Sequence, residues 1–277
     1  MADSQVARIA VAQMHVSPGD VDRNLSTALD LVAEAGAQDA DLVVLPEMAL
    51  MGLPNDPADV AQSIPGPATE QLGEAATRAD LWLVAGMAES NPAGSPFNAA
   101  VVIAPDGEIA SVYRKVFLYL QEAEAFGRGC EACLLDLGFA HAGLTICYDY
   151  IFPEYVRRLA TAGAELLLHP TAWVDTEAGR EWGYPSAGAY RAQCMVRALE
   201  NQVFFASANV VGRYDESGYL DGVGRSAVIA PWGEVLAEVA EGEGVAVGEC
   251  DFSRIEAWCE QVAPYMRDFR DVQIPEV

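Results

Sequence analysis

Short apolar runs typical of buried strands alternate along the chain with segments of helical periodicity. Residues 7–14 (ARIAVAQM) predict a buried strand, and residues 21–38 place Leu25, Leu29 and Val32 near one face of a helix. The same pattern predicts further strands over 41–47, 81–89, 142–149, 165–170 and 203–212. It predicts further helices over 69–80, 153–164 and 189–202.

A hairpin pattern follows the strand–helix–strand unit in each half of the chain. The first hairpin is predicted over 98–115, with Asp106 and Gly107 at its turn, and the second over 224–240. Two such halves predict an α/β fold with two mixed sheets, each covered by helices on one side. A single doubly wound sheet is the alternative. The glycines of 222–227 (GVGRSA) precede a strand, so they do not indicate a dinucleotide site.

The composition of the chain indicates how many domains and which classes of partner to expect. The 277 residues, 52% of them hydrophobic, are sufficient for one sizeable core, and the absence of a linker-like segment predicts a single domain over residues 1–277. A net charge of −25 predicts repulsion of nucleic acids and anionic membranes, so we expect neither as a partner. Residues 238–251 (EVAEGEGVAVGECD) fit this solvated acidic surface.

The N-terminal segment and the cysteines bear on location and cofactors. Residues 1–20 lack the pattern of a signal peptide, and no apolar run approaches the ~18 residues of a membrane span, so we expect a cytoplasmic protein. The pair Cys130 and Cys133 has no second pair nearby, and we interpret the six cysteines as reduced thiols. The three histidines are scattered, so neither a metal nor a cofactor is predicted.

Three reactive side chains end predicted strands, where the sites of α/β proteins assemble. They are Glu47, Lys115 and Cys147. Lys115 is the one lysine beside 15 arginines, and a compact ammonium suits a tight pocket that a planar guanidinium does not fit. Cys147 precedes a helix that begins near Pro153, whose dipole should favour the thiolate. Solvated charges and a buried structural thiol are the alternatives.

An acid, an ammonium and a thiol together fit nucleophilic acyl transfer. The acid takes the thiol proton, the sulfur attacks, and the ammonium and a backbone N–H stabilise the oxyanion. A Ser-His-Asp site is disfavoured, because the chain has three histidines and no G-x-S-x-G sequence.

Three segments in order resemble the signature motifs of the nitrilase superfamily, the carbon–nitrogen hydrolases. They are residues 42–50 (LVVLPEMAL), 113–119 (YRKVFLY) and 146–154 (ICYDYIFPE), and the similarity extends over nearly the whole chain. The resemblance implies a four-layer αββα sandwich, with two mixed β-sheets flanked by helices. It also implies a catalytic triad of Glu47, Lys115 and Cys147.

The family often has a second glutamate shortly after the lysine, and both Glu122 and Glu124 qualify here. A gap-free match back from Gly129 selects Glu122. The segment departs from the family pattern at Phe117, where histidine is usual, and at Arg128, where proline often stands.

Tyr148 and Asp149 follow the cysteine, which is similar to the amidase and carbamoylase branches of the family. The resemblance implies hydrolysis of a small aliphatic amide to carboxylate and ammonia through a cysteine thioester. The backbone N–H of Tyr148 would bind the oxyanion, and Tyr119 and Trp173 would line the acyl pocket or else belong to the core.

Other activities of the same fold are an N-carbamoyl amide hydrolase, a nitrilase and a non-catalytic regulatory subunit. Residues 174–177, after HPTAW, contain no basic residue to bind a substrate carboxylate, which favours an unsubstituted amide. Arg180 is the nearest candidate cation in this region.

The C-terminal tail, residues 251–277, carries a set of large apolar side chains: Trp258, Tyr265, Met266 and Phe269. The tail is short, so we expect these side chains to pack across a partner subunit. A homodimer or a higher homo-oligomer is therefore predicted.

Overall fold

The computed structural model describes residues 5–54, 56–215 and 220–271. The strands are β1 (Val6–Gln13), β2 (Leu42–Val44), β3 (Trp82–Glu89), β4 (Phe97–Ile103), β5 (Ile109–Arg114), β6 (Leu134–Asp136), β7 (His141–Leu144), β8 (Leu166–Thr171), β9 (Val174–Asp175), β10 (Phe204–Asn209), β11 (Val211–Arg213), β12 (Asp221–Val223), β13 (Ala227–Ile229), β14 (Val235–Glu238) and β15 (Gly244–Asp251). The α-helices are α1 (Val21–Ala37), α2 (Pro67–Ala79), α3 (Glu122–Ala125), α4 (Pro153–Thr161), α5 (Glu177–Glu181), α6 (Ser186–Asn201), α7 (Ser253–Gln261) and α8 (Tyr265–Asp271). In the described part of the chain, no helix is both long enough and apolar enough to cross a bilayer.

Two six-stranded mixed sheets form the centre of the fold. The first sheet has the order β15-β1-β2-β3-β4-β5, and the second has the order β14-β13-β10-β8-β7-β6. The central strands β1, β2 and β3 run parallel, as do β7, β8 and β10, and antiparallel strands flank them. A small sheet of β11, β12 and β9 lies apart from these two.

In the central strands of each sheet both faces are buried, one by helices and the other by the opposite sheet. In β1, Ile9 and Val11 face the second sheet, whereas Ala10 and Ala12 face α1 and α2. In β8, Leu167 packs with α4 and α6. Central strands buried on both faces explain the near-continuous apolar runs of the sequence. The predicted αββα sandwich of two mixed sheets is confirmed.

Two predicted strands end earlier than expected, and both differences lie beside reactive residues. The strand predicted over 41–47 ends at Val44, and the one predicted over 142–149 ends at Leu144. The chain turns sharply after each of them, because Met48 and Cys147 have φ angles of +50° and +43°. Each turn therefore places a reactive side chain just beyond the end of its strand.

The segment 238–251, interpreted as solvated acidic surface, also contains a strand that was not predicted. Residues Gly244–Asp251 form β15, which pairs antiparallel with the whole of β1. The acidic side chains are solvated as expected, since Glu241, Glu243 and Glu249 are exposed, whereas Cys250 is buried. These exposed acidic side chains concealed a strand whose backbone pairs with β1.

Part of the C-terminal tail packs on the chain's own helices. Met266 is buried against α4 and α6, and its N–H donates to Gln202 Oε1 at 3.0 Å. The guanidinium of Arg157 contacts the Met266 sulfur and lies 5.1 Å from the ring centroid of Phe269. The expectation that Met266 lacks local cover is therefore wrong.

Other apolar side chains of the tail remain accessible. Tyr265 and Phe269 are 49% and 42% exposed, whereas the ring of Trp258 lies 6.1 Å from that of Trp232. Residues 272–277 of the predicted interface segment lie outside the described ranges. The homo-oligomer stays a prediction.

Gly86 of β3 is the close-packing position that sets the turn carrying Glu47. A Cβ there would lie 2.4 Å from the Pro46 carbonyl oxygen and 2.6 Å from Glu47 Cα. We expect Gly86→Ala to displace that turn and to lower the free energy of unfolding by about 1–3 kcal/mol, measured by urea denaturation. The control is Gly94→Ala, since Gly94 is exposed and its added Cβ meets no atom nearer than 3.6 Å. Equal stabilities of the two variants would contradict this assignment.

Candidate active site

The turn after β7 presents the Cys147 side chain to a cavity. Cys147 begins a short 3₁₀ turn (Cys147–Ile151) that leads into α4. Its φ of +43° is a left-handed conformation that a non-glycine residue adopts only at a cost of order 1–3 kcal/mol. The surrounding structure must therefore hold this turn in place.

Asp149 provides that support, and the sequence analysis had not assigned it this role. Its Oδ2 accepts hydrogen bonds from the Ile146 N–H at 2.8 Å and the Tyr113 hydroxyl at 2.7 Å. Its Oδ1 accepts from the Phe117 N–H at 2.8 Å. Burial raises the pKa of Asp149 to about 6, against the opposing effect of these donors. At neutral pH an ionised carboxylate thus links the Cys147 turn to the segment that follows Lys115.

Lys115 extends from the end of β5 into the same cavity. Its Nζ lies 2.6 Å from Glu47 Oε1 and 2.9 and 2.8 Å from the two carboxylate oxygens of Glu122. The side chain is only 1% exposed. Burial lowers the pKa of Lys115, but the charges of Glu47 and Glu122 outweigh burial and raise it above its ordinary value. Lys115 is therefore a buried ammonium, not a surface charge.

Glu47 is held by three donors at the mouth of β2. Its Oε1 accepts from Lys115 Nζ and, at 2.8 Å, from Asn98 Nδ2, while its Oε2 accepts from the Ala172 N–H at 2.9 Å. Asn98, buried in β4, also lies 3.3 Å from Glu122 Oε1. Sequence reasoning missed Asn98, although an amide at the start of an apolar strand was the available signal.

The structure brings Glu122, rather than Glu124, to the lysine. Glu122 begins α3, and its Oε2 accepts from the Tyr119 N–H at 2.7 Å as well as from Lys115. Burial raises the pKa of Glu122, whereas the Lys115 charge opposes this rise. Glu124 lies on the exposed side of the helix. Of the two candidates, only Glu122 contacts the site.

The pKa of the Cys147 thiol is raised, whereas its position before a helix was expected to lower it. Burial raises the pKa of Cys147, and Glu47 raises it further, whereas Lys115 and Thr171 act in the opposite direction. The pKa of Cys147 is raised overall because desolvation disfavours the thiolate more than the single ammonium favours it. Attack by this sulfur therefore requires a base, and Glu47 lines the same cavity.

A backbone donor lies beside the sulfur. The Tyr148 N–H donates to no group in the described part of the chain. Lys115 lines the cavity near it. Together they offer an ammonium and an N–H for an oxygen that gains negative charge.

Cys147 lies where two arms of the cavity meet. We call one the carboxylate arm, with a volume of about 360 Å³ and a lining that includes Glu47, Lys115, Glu122 and Asp215. The other, the aromatic arm, has a volume of about 280 Å³ and is walled by Tyr119, Tyr148, Trp173 and Tyr184. Tyr119 and Trp173 thus line the cavity as predicted from the sequence. Tyr184, a wall of the same arm, had not been identified.

Comparisons with known proteins agree with this geometry. The family model described as carbon-nitrogen hydrolase matches residues 8–260. The omega-amidase NIT2 of Homo sapiens is 30% identical over 98% of each chain, and a nitrilase of Pyrococcus abyssi is 36% identical over 89% of this chain and 90% of its own.

A solved structure of a mutant amidase from Nesterenkonia sp. AN1 has a TM-score of 0.74 and 28% identity, covering 95% of this chain and 99% of that one. It shows acrylamide joined by Michael addition to the active-site cysteine. The family match spans nearly the whole length, and the relatives are matched along almost all of theirs. The chain therefore belongs to the carbon-nitrogen hydrolase family, as its three motifs predicted.

Proposed function

We propose that the protein hydrolyses an uncharged amide to a carboxylate and ammonia through a thioester on Cys147. The observation that carries the proposal is the buried contact of 2.6 Å between Lys115 and Glu47 in the cavity that also exposes the Cys147 sulfur. Family membership and the amidase relatives support the same reaction. Loss of the acid, the ammonium or the thiol would mark a regulatory subunit, and all three are present.

Acylation begins with the neutral thiol. Glu47 takes the proton of Cys147 as the sulfur attacks the amide carbon, and the carbonyl oxygen becomes an oxyanion. Lys115 and the Tyr148 N–H stabilise that oxyanion. Glu47 then returns the proton to the nitrogen, the carbon–nitrogen bond breaks, and ammonia leaves a thioester behind.

Deacylation uses the same groups, with a water molecule as the nucleophile and the Cys147 sulfur as the leaving group. Glu47 takes a proton from a water molecule, whose oxygen attacks the thioester carbon to form a second oxyanion. The carbon–sulfur bond breaks, and the proton returns to the Cys147 sulfur. Glu122 acts through Lys115: it holds the ammonium with both carboxylate oxygens, so that Glu47 is free to exchange its proton without losing the cation.

Removal of the nucleophile tests the covalent step. We expect Cys147→Ala to lose ammonia release from every amide while it keeps its fold by circular dichroism, since no other thiol faces the cavity within the described ranges. Cys130→Ala is the matched control, because Cys130 is exposed and lines neither arm. Substantial amidase activity in Cys147→Ala would overturn the mechanism, whereas mass spectrometry of the parent should detect an acyl adduct on Cys147.

Exchange of the cation tests the role of the buried ammonium. Lys115→Arg keeps the charge, but a forked guanidinium does not fit a site that places three carboxylate oxygens within 2.9 Å of one nitrogen. We expect kcat to fall by about 10²–10³-fold, the usual loss for one oxyanion donor. Arg78→Lys is the control, at an exposed ion pair. A Lys115→Arg enzyme within about threefold of the parent would show that the ammonium has no such role.

Nitrile hydrolysis is the second candidate, because one relative of 36% identity is named a nitrilase. The same three groups serve both reactions, so the choice depends on acceptors for the amide nitrogen. A planar amide can donate its N–H groups to acceptors in the cavity, whereas a linear nitrile has no N–H group to give them. We expect kcat/KM for propionamide to exceed that for propionitrile by about 10-fold or more. Equal kcat/KM values for the two substrates would favour nitrile hydrolysis as the function.

A further inference from the structure

We propose that the aromatic arm is the subsite for an uncharged arylalkyl acyl group, so that the best substrates carry a ring and no carboxylate. The inference rests on the proposed amide hydrolysis and names its substrate class. It is carried by the walls of the arm, by the way those walls are held, and by the charges around them.

The walls of the aromatic arm suit a ring. Tyr119, Tyr148, Trp173 and Tyr184 line it, and among the described residues no charged side chain does so. The rings of Tyr119 and Tyr148 stand edge to face with their centroids 5.0 Å apart. A cavity of about 280 Å³ that begins at Cys147 has room for a phenyl ring on a short chain. Edge-to-face and stacked contacts would then favour an aromatic group over an aliphatic one.

Trp173 is fixed before any substrate binds. Its Nε1 donates to Ser186 Oγ at 3.1 Å, and its backbone N–H donates to Asn209 Oδ1 at 2.8 Å. Its ring stacks on Tyr190 at a centroid distance of 6.1 Å. A wall that is already ordered costs little further entropy on binding, which is how preorganised sites gain affinity.

No cation in the described lining is available for a substrate carboxylate. Lys115 is the one basic residue among the described side chains of the two arms, and Glu47 and Glu122 already surround it. Arg180, the nearest arginine after the lining residue Gly179, lies 3.7 Å from Asp175 and 3.8 Å from an Asp221 oxygen.

Negative charge also faces the cavity. The carboxylate arm contributes Glu47 and Glu122 against the single ammonium of Lys115. A substrate carboxylate would lose water and meet like charges without a counter-ion, an arrangement that costs affinity steeply. An uncharged acyl group avoids that cost.

Three amides test the proposal: propionamide, 3-phenylpropionamide and succinamate. They share the amide and a two-carbon spacer and differ only in a terminal hydrogen, phenyl or carboxylate. We expect kcat/KM for 3-phenylpropionamide to exceed that for propionamide by about 10-fold or more, and succinamate to be about 10²-fold or more below 3-phenylpropionamide.

Variants of one wall residue give a second test. Tyr184→Ala should lower the ratio of kcat/KM for 3-phenylpropionamide to that for propionamide by about 10-fold, because it removes one wall of the arm. Trp182→Ala is the control: Trp182 is 89% exposed, lines neither arm, and should leave that ratio unchanged. Tyr184→Arg supplies a cation and should raise the ratio for succinamate to propionamide by about 10-fold.

The outcomes separate this inference from the proposed function. Hydrolysis of propionamide without a gain from the phenyl group, or a preference for succinamate, overturns the inference and leaves amide hydrolysis standing. Failure to hydrolyse any of the three amides counts against the proposed function itself. The inference would also be overturned if Tyr184→Ala and Trp182→Ala changed the ratio of kcat/KM for 3-phenylpropionamide to that for propionamide equally. A gain from the phenyl group that is lost in Tyr184→Ala alone supports the inference.

Discussion

A buried ammonium is the constraint around which the site is built. Removal of a lysine from water costs several kcal/mol, and only nearby carboxylates and good hydrogen-bond geometry compensate for it. Glu47 and Glu122 supply the charge, and Asn98 donates to both of them. Loss of one partner of such a buried pair typically costs about 3–5 kcal/mol, so the groups that suit catalysis also hold the structure together.

The three candidate catalytic residues could be identified in the sequence because each stands near the end of a predicted strand. They are Glu47, Lys115 and Cys147, and a lone lysine among arginines is a signal that needs no structure. Asn98 and Asp149 could not be assigned in the same way. Their partners Glu47 and Phe117 lie 51 and 32 residues away along the chain, so their roles exist only once the sheets are packed.

Elsewhere the sequence failed where local pattern and tertiary environment disagree. The thiolate expected at Cys147 followed from the helix that comes after it, but burial of the sulfur beside Glu47 has the larger effect on its pKa. The edge strand β15 was not predicted, because the exposed Glu249 and the half-buried Asp251 made its segment resemble acidic surface. In both cases the outcome depends on which side chains are exposed to solvent, and the sequence alone does not specify that.

The reactive groups are divided between the two sheets. Glu47 and Lys115 follow strands of the first sheet, whereas Cys147 follows a strand of the second. Three polar contacts join the halves at this point: the Ala172 N–H to Glu47, and the Phe117 N–H and the Tyr113 hydroxyl to Asp149. Under the proposed mechanism, the registry of one sheet on the other therefore sets the distance between the base and its thiol. A slide of about 1 Å between intact sheets would separate the base from its thiol, and a displacement of that size costs about 10²-fold in rate without unfolding a single strand.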